Sequence, residues 1–356
     1  MQSISRRVLS QLLQLNYIKF NSIQCIATNV SLNQIKNDGI SVQIFDRYTK
    51  NLQRERAAGA KDVDLYDYLK DEIGFRLADR IFDVKRKFKL AADIGCSRGY
   101  ISKYISPDSI EEIILYDSSQ LNLDIVQVAD GVKFRKKLLD EESIQFEPNS
   151  LDLVISSLNL HWVNDLPNAF KVILNGLKQD GVFMAAVFGG DTLYELRSSL
   201  QLGELERRGG LSPHISPFTE VRDIGSLLTR AGFSMLTIDT DEIVVQYPSM
   251  FELMWDLKGM AENNAAINRS LHLHRDTQFA AAAIYQQLYG KHDEETGKHS
   301  VPATFQIINM IGWKPHPKHP KPLERGTGEV SFKDIHKLDE IIKEVGKIKV
   351  DDDQKN

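Results

Sequence analysis

At 356 residues the chain has room for one large domain or two small ones, each with a substantial core. Apolar residues make up 42% and charged ones 26%, an ordinary globular balance, and no apolar run approaches the ~18 residues that span a membrane, so any membrane contact is peripheral. A net charge of −5 without a basic stripe speaks against nucleic-acid binding, and two cysteines, Cys25 and Cys96, cannot build a disulfide framework or a cysteine zinc site.

The chain opens on a stretch, 1–37, that holds no acidic residue before Asp38. Arg6, Arg7, Lys19 and Lys36 stand there with Ser3, Ser5, Ser10 and Ser22 and apolar Val8, Leu9, Leu12 and Leu13. Basic, serine-bearing and amphipathic, it reads as a mitochondrial presequence; a disordered basic tail is the plainer account. Its removal takes Cys25 with it and leaves Cys96 as a lone thiol. Residues 38–88 read as a helical cap, with an apolar rhythm through Leu69, Ile73, Leu77 and Ile81.

Alternation of strands and helices begins next and defines a domain over 89–313. Leu90–Ile94 predicts a buried strand, followed by a turn with Gly95 and Gly99 and a helix over Tyr100–Ile105. Further strands are expected at Glu112–Tyr116, Val132–Leu138 and Leu151–Ser156, then a helix at Leu166–Leu177 and a strand at Gly181–Phe188. A helix at Val221–Arg230 stops at Ala231-Gly232 before a strand at Phe233–Val245. Ala303–Trp313 is expected to be the last, antiparallel edge strand. The expected class is α/β, a Rossmann-like seven-stranded sheet with helical insertions near 191–218 and 249–290 that cover its carboxyl edge. The tail, 314–356, is rich in Pro, Lys and His and then in mixed charge, and reads as mostly solvated and mobile.

The chemistry concentrates at the first strand. Asp93, Gly95, Cys96, Ser97 and Gly99 form a glycine turn at a strand's carboxyl end, where open parallel sheets bind ligands. A helix starting there would add unpaired amides and positive potential. Eighteen residues after Gly99 the second strand ends in Asp117, placed to accept both hydroxyls of a ribose. Asp140, past the third strand, is placed for an adenine amino group. Together these describe a nucleoside site, and Asp117→Ala is expected to abolish its affinity with little change in fold. An NAD fingerprint fits less well, since Ser97 and Tyr100 stand where it wants glycine. Gly95-Cys-Ser-Arg-Gly99 also matches the nucleophile elbow of α/β-hydrolases, but on the first strand of the sheet rather than a later one. The bland alternative is a turn that only closes a corner.

The chain resembles class I S-adenosylmethionine-dependent methyltransferases through Asp93-Ile-Gly-Cys-Ser-Arg-Gly99, Asp152-Leu-Val-Ile-Ser156-Ser-Leu-Asn-Leu-His161-Trp162 and Leu177-Lys-Gln-Asp-Gly-Val-Phe183. The biotin-pathway enzyme that methylates malonyl-acyl carrier protein shares these. Phe188-Gly-Gly-Asp-Thr-Leu-Tyr-Glu-Leu-Arg197, Ser212-Pro-His-Ile-Ser-Pro-Phe218, His274-Arg-Asp-Thr277 and Val301-Pro-Ala-Thr-Phe305 are more specific. They resemble the mitochondrial complex I assembly factor 5 family from about Phe45 to about Arg325. That resemblance implies S-adenosylmethionine held by Asp93, Gly95, Cys96, Ser97, Gly99, Asp117, Asp140 and Ser156. It also implies hydroxylation of an arginine in an iron–sulfur subunit of complex I, in the matrix at the inner membrane, with a small twin-cysteine-motif assembly partner. The family turn has glycine where this chain has Ser97.

From the residues alone the reaction would be methyl transfer to a protein or acyl-carrier protein, which needs positioning more than functional groups. A non-catalytic assembly chaperone is the other alternative. No catalytic residue is named by pattern; Asp191, His161 and His214 are candidates by type. With His274 they are also what a two-histidine, one-carboxylate iron site would draw on, although such histidines more often close loop hydrogen bonds, and no metal is assigned. Asp191 and Glu195, four apart on an expected helix, would form an acidic face for a guanidinium guest. Trp162, Asn164 and Asp165 would wall the pocket or pack the next helix, and Tyr48 with Arg54-Glu-Arg56 would form a cover or remain exposed charge.

Overall fold

The computed structural model describes residues 43–292 and 299–320; the expected presequence and most of the expected tail lie outside them. By contact the chain separates into units at 1–314 and 315–356. The described part of the second unit is a short turn in which the His319 N–H donates to the His316 carbonyl at 3.0 Å.

The first unit is built on strands β1 (Phe88–Ile94), β2 (Ile110–Asp117), β3 (Lys133–Leu138), β4 (Leu151–Ser157), β5 (Leu177–Phe188), β6 (Ser234–Tyr247), β7 (Lys291–His292) and β8 (His299–Trp313). They line up as β3-β2-β1-β4-β5-β8-β6, with the two-residue β7 paired to the start of β8. The first five are parallel, and β8 runs antiparallel to both β5 and β6. β8 is therefore not the edge strand expected from the sequence; β6 is. The reason is visible in the side chains: Val301–Phe305 and Ile307–Met310 are buried on both faces, as an interior strand requires, whereas most of β6 alternates.

Helices α1 (Arg47–Ala58), α2 (Tyr68–Asp83), α3 (Gln120–Ile125), α4 (Leu166–Gly176), α5 (Tyr194–Arg208), α6 (Val221–Ala231), α7 (Met250–Gly259) and α8 (Arg275–Tyr289) complete the described unit. One apolar cluster unites α2, α5, α7 and α8 with one face of the sheet, and a second unites α4 and α6 with the other. Leu69, Ile73, Leu77 and Ile81 recur every four residues along one side of α2 and are almost wholly buried. Burying each stabilises by about 1.5–3 kcal/mol. Gly74 permits this docking, because a Cβ there would lie 2.3 Å from the Tyr100 carbonyl oxygen.

The expected helix over 100–105 is instead a run of turns. The carbonyls of Arg98 and Ser102 accept from the amides of Gln127 and Ala129, at 2.9 Å each, and so are diverted from closing helical turns. Among these residues the Lys103 amide makes the helical reach, to Gly99 at 3.1 Å. The strand order reverses between β1 and β4, which opens a crevice at their carboxyl ends.

Candidate functional site

β1 delivers the chain to a turn in which Gly95, Ser97 and Gly99 have φ of 70°, 50° and 89°. The glycines are required sterically: a Cβ at Gly95 would sit 2.0 Å from Asn159 Nδ2, and one at Gly99 2.1 Å from the Gln127 carbonyl. Ser97 adopts the left-handed conformation with a side chain, at a cost of about 1–2 kcal/mol. The turn is tied to β2. Gly95 and Cys96 amides donate to the Tyr116 carbonyl at 2.8 and 3.0 Å. The Ser97 amide donates to Asp117 Oδ2 at 2.8 Å, and the Ser119 amide to Oδ1 at 2.8 Å. The helix amino terminus expected to supply free amides is absent, because Tyr100–Ile105 is not helical, and part of the amide set serves the fold.

Asp117 is thus a buried brace, not an exposed strand tip, and its loss will be felt by the turn itself. Burial pushes its carboxyl up, with Arg54 opposing. It lines a cavity of about 30 Å³ with Gly95, Ser97, Ser157 and Arg54. Asp93 is buried beneath the turn, and neither of its carboxylate oxygens has a hydrogen-bond partner. Burial, with Asp117 adding, drives its carboxyl to about 8, so it is mostly protonated at neutral pH. The Ser157 hydroxyl is also buried without a partner, while Ser156 Oγ donates to the Ile94 carbonyl at 2.7 Å. Burial raises the Cys96 thiol well above its ordinary value.

Past β3, Asp140 is partly exposed and takes Arg47 at 3.2 Å. Its neighbour Glu141 is the buried acid, held by Arg47 and by Arg54. Burial pushes the Glu141 carboxyl up, but Arg54 and Arg47 outweigh it and hold it at about 2. Arg54 reaches from α1 across the crevice to Ser118 Oγ at 2.8 Å and to Asn159 Oδ1. Of the Arg54–Arg56 run, Arg54 is inside the crevice and Arg56 exposed; Tyr48 is exposed too.

A second cluster adjoins it. Glu262 accepts from Lys70 at 2.8 Å and from Trp162 Nε1 at 3.0 Å, with Lys50 at 3.7 Å and His161 Nε2 at 3.5 Å. Burial raises its carboxyl, yet Lys50 and Lys70 dominate and hold it well below the usual range. Lys50 is buried with its ammonium 3.4 Å over the Trp162 ring, and burial lowers its pKa well below the ordinary value. His161 is enclosed by the rings of Trp162, Phe188 and Phe218; burial lowers it to about 4, so it is neutral. Asn164 anchors the segment that leads into α1, its Oδ1 accepting from the Phe45 amide at 2.7 Å, and Asp165 caps α4.

The other candidates are not gathered here. Asp191 precedes α5 and bonds Gln306 Nε2 at 3.1 Å, whereas Glu195 is buried inside α5 against the Thr304 hydroxyl and amide. The expected shared acidic face does not form, because the helix starts at Tyr194 and the two carboxylates are engaged separately. His214 pairs with Glu204 at 2.9 Å, and His274 stands at the N-cap position of α8, its ring against that of His272 and its side chain making no cap hydrogen bond. Among the described residues no three His, Cys, Asp or Glu side chains form a metal-binding group. Sequence reasoning missed Glu141, Glu262 and Lys50. The spacing of Lys50, Gln53 and Arg54 on one face of α1 was the available signal.

A family model described as a methyltransferase domain matches residues 92–185. The chain is 53% identical over 302 residues to the mouse protein named arginine-hydroxylase NDUFAF5, mitochondrial, covering 85% of this chain and 86% of that one. It is 51% identical to the zebrafish protein of that name over 300 residues, covering 84% and 92%. A malonyl-[acyl-carrier protein] O-methyltransferase of Methylovorus is 30% identical over 299 residues, covering 82% and 96%. With a doubly wound sheet and a glycine turn at its first strand already in place, identity of this extent assigns the chain to the arginine-hydroxylase NDUFAF5 family.

Proposed function

We propose that this protein is a mitochondrial protein-arginine hydroxylase that binds S-adenosylmethionine on a methyltransferase fold. The reading rests above all on identity above 50% that runs through most of the chain, beyond the 92–185 core, to relatives named for that activity. Its substrate is an arginine of an iron–sulfur subunit of respiratory complex I, met in the matrix at the inner-membrane surface. A small twin-cysteine-motif protein is its assembly partner. Among the described residues no helix is long and apolar enough to cross a membrane.

The crevice residues fit an adenosyl group. Asp117 accepts the Ser97 and Ser119 amides and the Asn122 side-chain amide and keeps a lone pair on Oδ2 for a ribose hydroxyl, and the Ser157 hydroxyl in the same wall is a buried polar atom without a partner. Small-molecule sites occupy roughly 300–1,000 Å³, so a cavity of about 30 Å³ takes the cofactor only when its walls, Arg54 among them, move apart. Bound there, the cofactor would supply a sulfonium-activated methyl group for methyl transfer, whereas hydroxylation inserts an oxygen into a C–H bond and draws that oxygen and its oxidising equivalents from a separate co-substrate. The chain's residues would orient it, exclude water and keep Glu262 ionised at the crevice wall, with neutral His161 buried behind it.

The test is mass spectrometry of the partner subunit from cells lacking this protein. Loss of one oxygen mass from an arginine supports the proposal. Loss of a methylene mass instead supports methyl transfer, the reading favoured by the match to the malonyl-carrier enzyme. Failed assembly with no lost mark leaves a chaperone.

A further inference from the structure

Beside the adenosyl crevice lies a larger cavity, about 340 Å³, within the range of small-molecule sites. Leu196 and Leu200 of α5, Met254 and Leu257 of α7 and Phe218 supply apolar walls. Glu262 borders both this cavity and the adenosyl crevice. Gln53 of α1, also in the wall, is buried with a side-chain carbonyl oxygen that lacks any partner. Arg56 and Arg269 line it as well, but Arg269 is engaged with Asp46 at 3.1 Å and Arg56 with Asn263 at 3.1 Å.

We propose that this cavity is the entry site for the substrate arginine, with its stem against the leucines and its guanidinium on Glu262 and the Gln53 carbonyl. The assignment rests on the arginine-hydroxylase reading above. A guanidinium is all donors, and a buried carboxylate with a free carbonyl is the acceptor set it needs. Three methylenes of stem match walls of Leu and Met, as long cationic side chains bury their apolar part. Lys50 is the Glu262 partner that can yield, since it also has the Ala261 carbonyl and the Trp162 ring. The guest's head then sits where the two cavities meet, next to the cofactor.

Full-length Met254→Trp, which fills the cavity, and Gln53→Leu, which removes the carbonyl, are expressed in cells lacking the native protein. Expected is a fall of the oxygen mark on the substrate arginine by about tenfold in Met254→Trp and several-fold in Gln53→Leu, with S-adenosylhomocysteine affinity within about twofold of the native chain. Should Met254→Trp lose that affinity, and with it its fold, Gln53→Leu decides. Native mark levels in a variant that still binds S-adenosylhomocysteine overturn the entry site while leaving the hydroxylase reading intact. A mark that persists in cells without the protein overturns both.

Discussion

Glu141→Gln isolates the contact that holds α1 over the crevice. Glu141 is fully buried, with Arg47 and Arg54 on its two oxygens. Its folded pKa is about 2 against an ordinary 4.5. The charged form therefore stabilises the fold above pH 4.5, and that stability is lost as pH falls toward 2. A difference of about 2.5 units at 1.36 kcal/mol each gives about 3 kcal/mol near neutral pH, and under half of that near pH 3. Removing one partner of a buried pair costs about 3–5 kcal/mol by independent measure, which agrees. Denaturant unfolding of native and variant chains at both pH values reads the difference directly. A variant as stable as the native chain at neutral pH, or a gap that does not narrow in acid, refutes the reasoning.

Ser97→Gly should stabilise by about 0.5–1 kcal/mol, since relief of the left-handed backbone exceeds the entropy glycine loses on folding. A melting point about 2 °C higher is the sign, and a lower one counts against the strain. Asp117→Ala strips two backbone amides of their acceptor and should cost about 2–4 kcal/mol as well as adenosyl affinity; an unchanged melting point contradicts its role as a brace. His161 has a folded pKa of about 4 against 6.5, so stability present above pH 6.5 is lost toward pH 4. His161→Phe should remove about 3 kcal/mol of that slope, and a variant that keeps the native pH profile shows that His161 is not its source.

The core strands were legible because β1, β2, β4 and β5 are apolar runs between glycine, asparagine and aspartate turns. Asp117 was legible as a residue of the crevice because it ends the second strand beside the glycine turn. Its duty in bracing Ser97 and Ser119 left no trace in the pattern. The strand and glycine turn before them suggested residues 100–105 as a helix; carbonyls captured by Gln127 and Ala129 overrode it, a tertiary effect that no local window contains. The polar side of α1 and Glu262 went unread for a related reason. Pattern reading places charges in water, and Lys50, Arg54, Glu141 and Glu262 are buried by pairing with one another across distant segments.

The central claim is that the crevice at the ends of β1, β2 and β4 holds an adenosyl group. Calorimetric titration of the full chain with S-adenosylhomocysteine tests it most directly. Saturable uptake by the native chain, lost in Asp117→Ala, is the predicted result. No uptake by the folded native protein, or undiminished affinity in the variant, would contradict it.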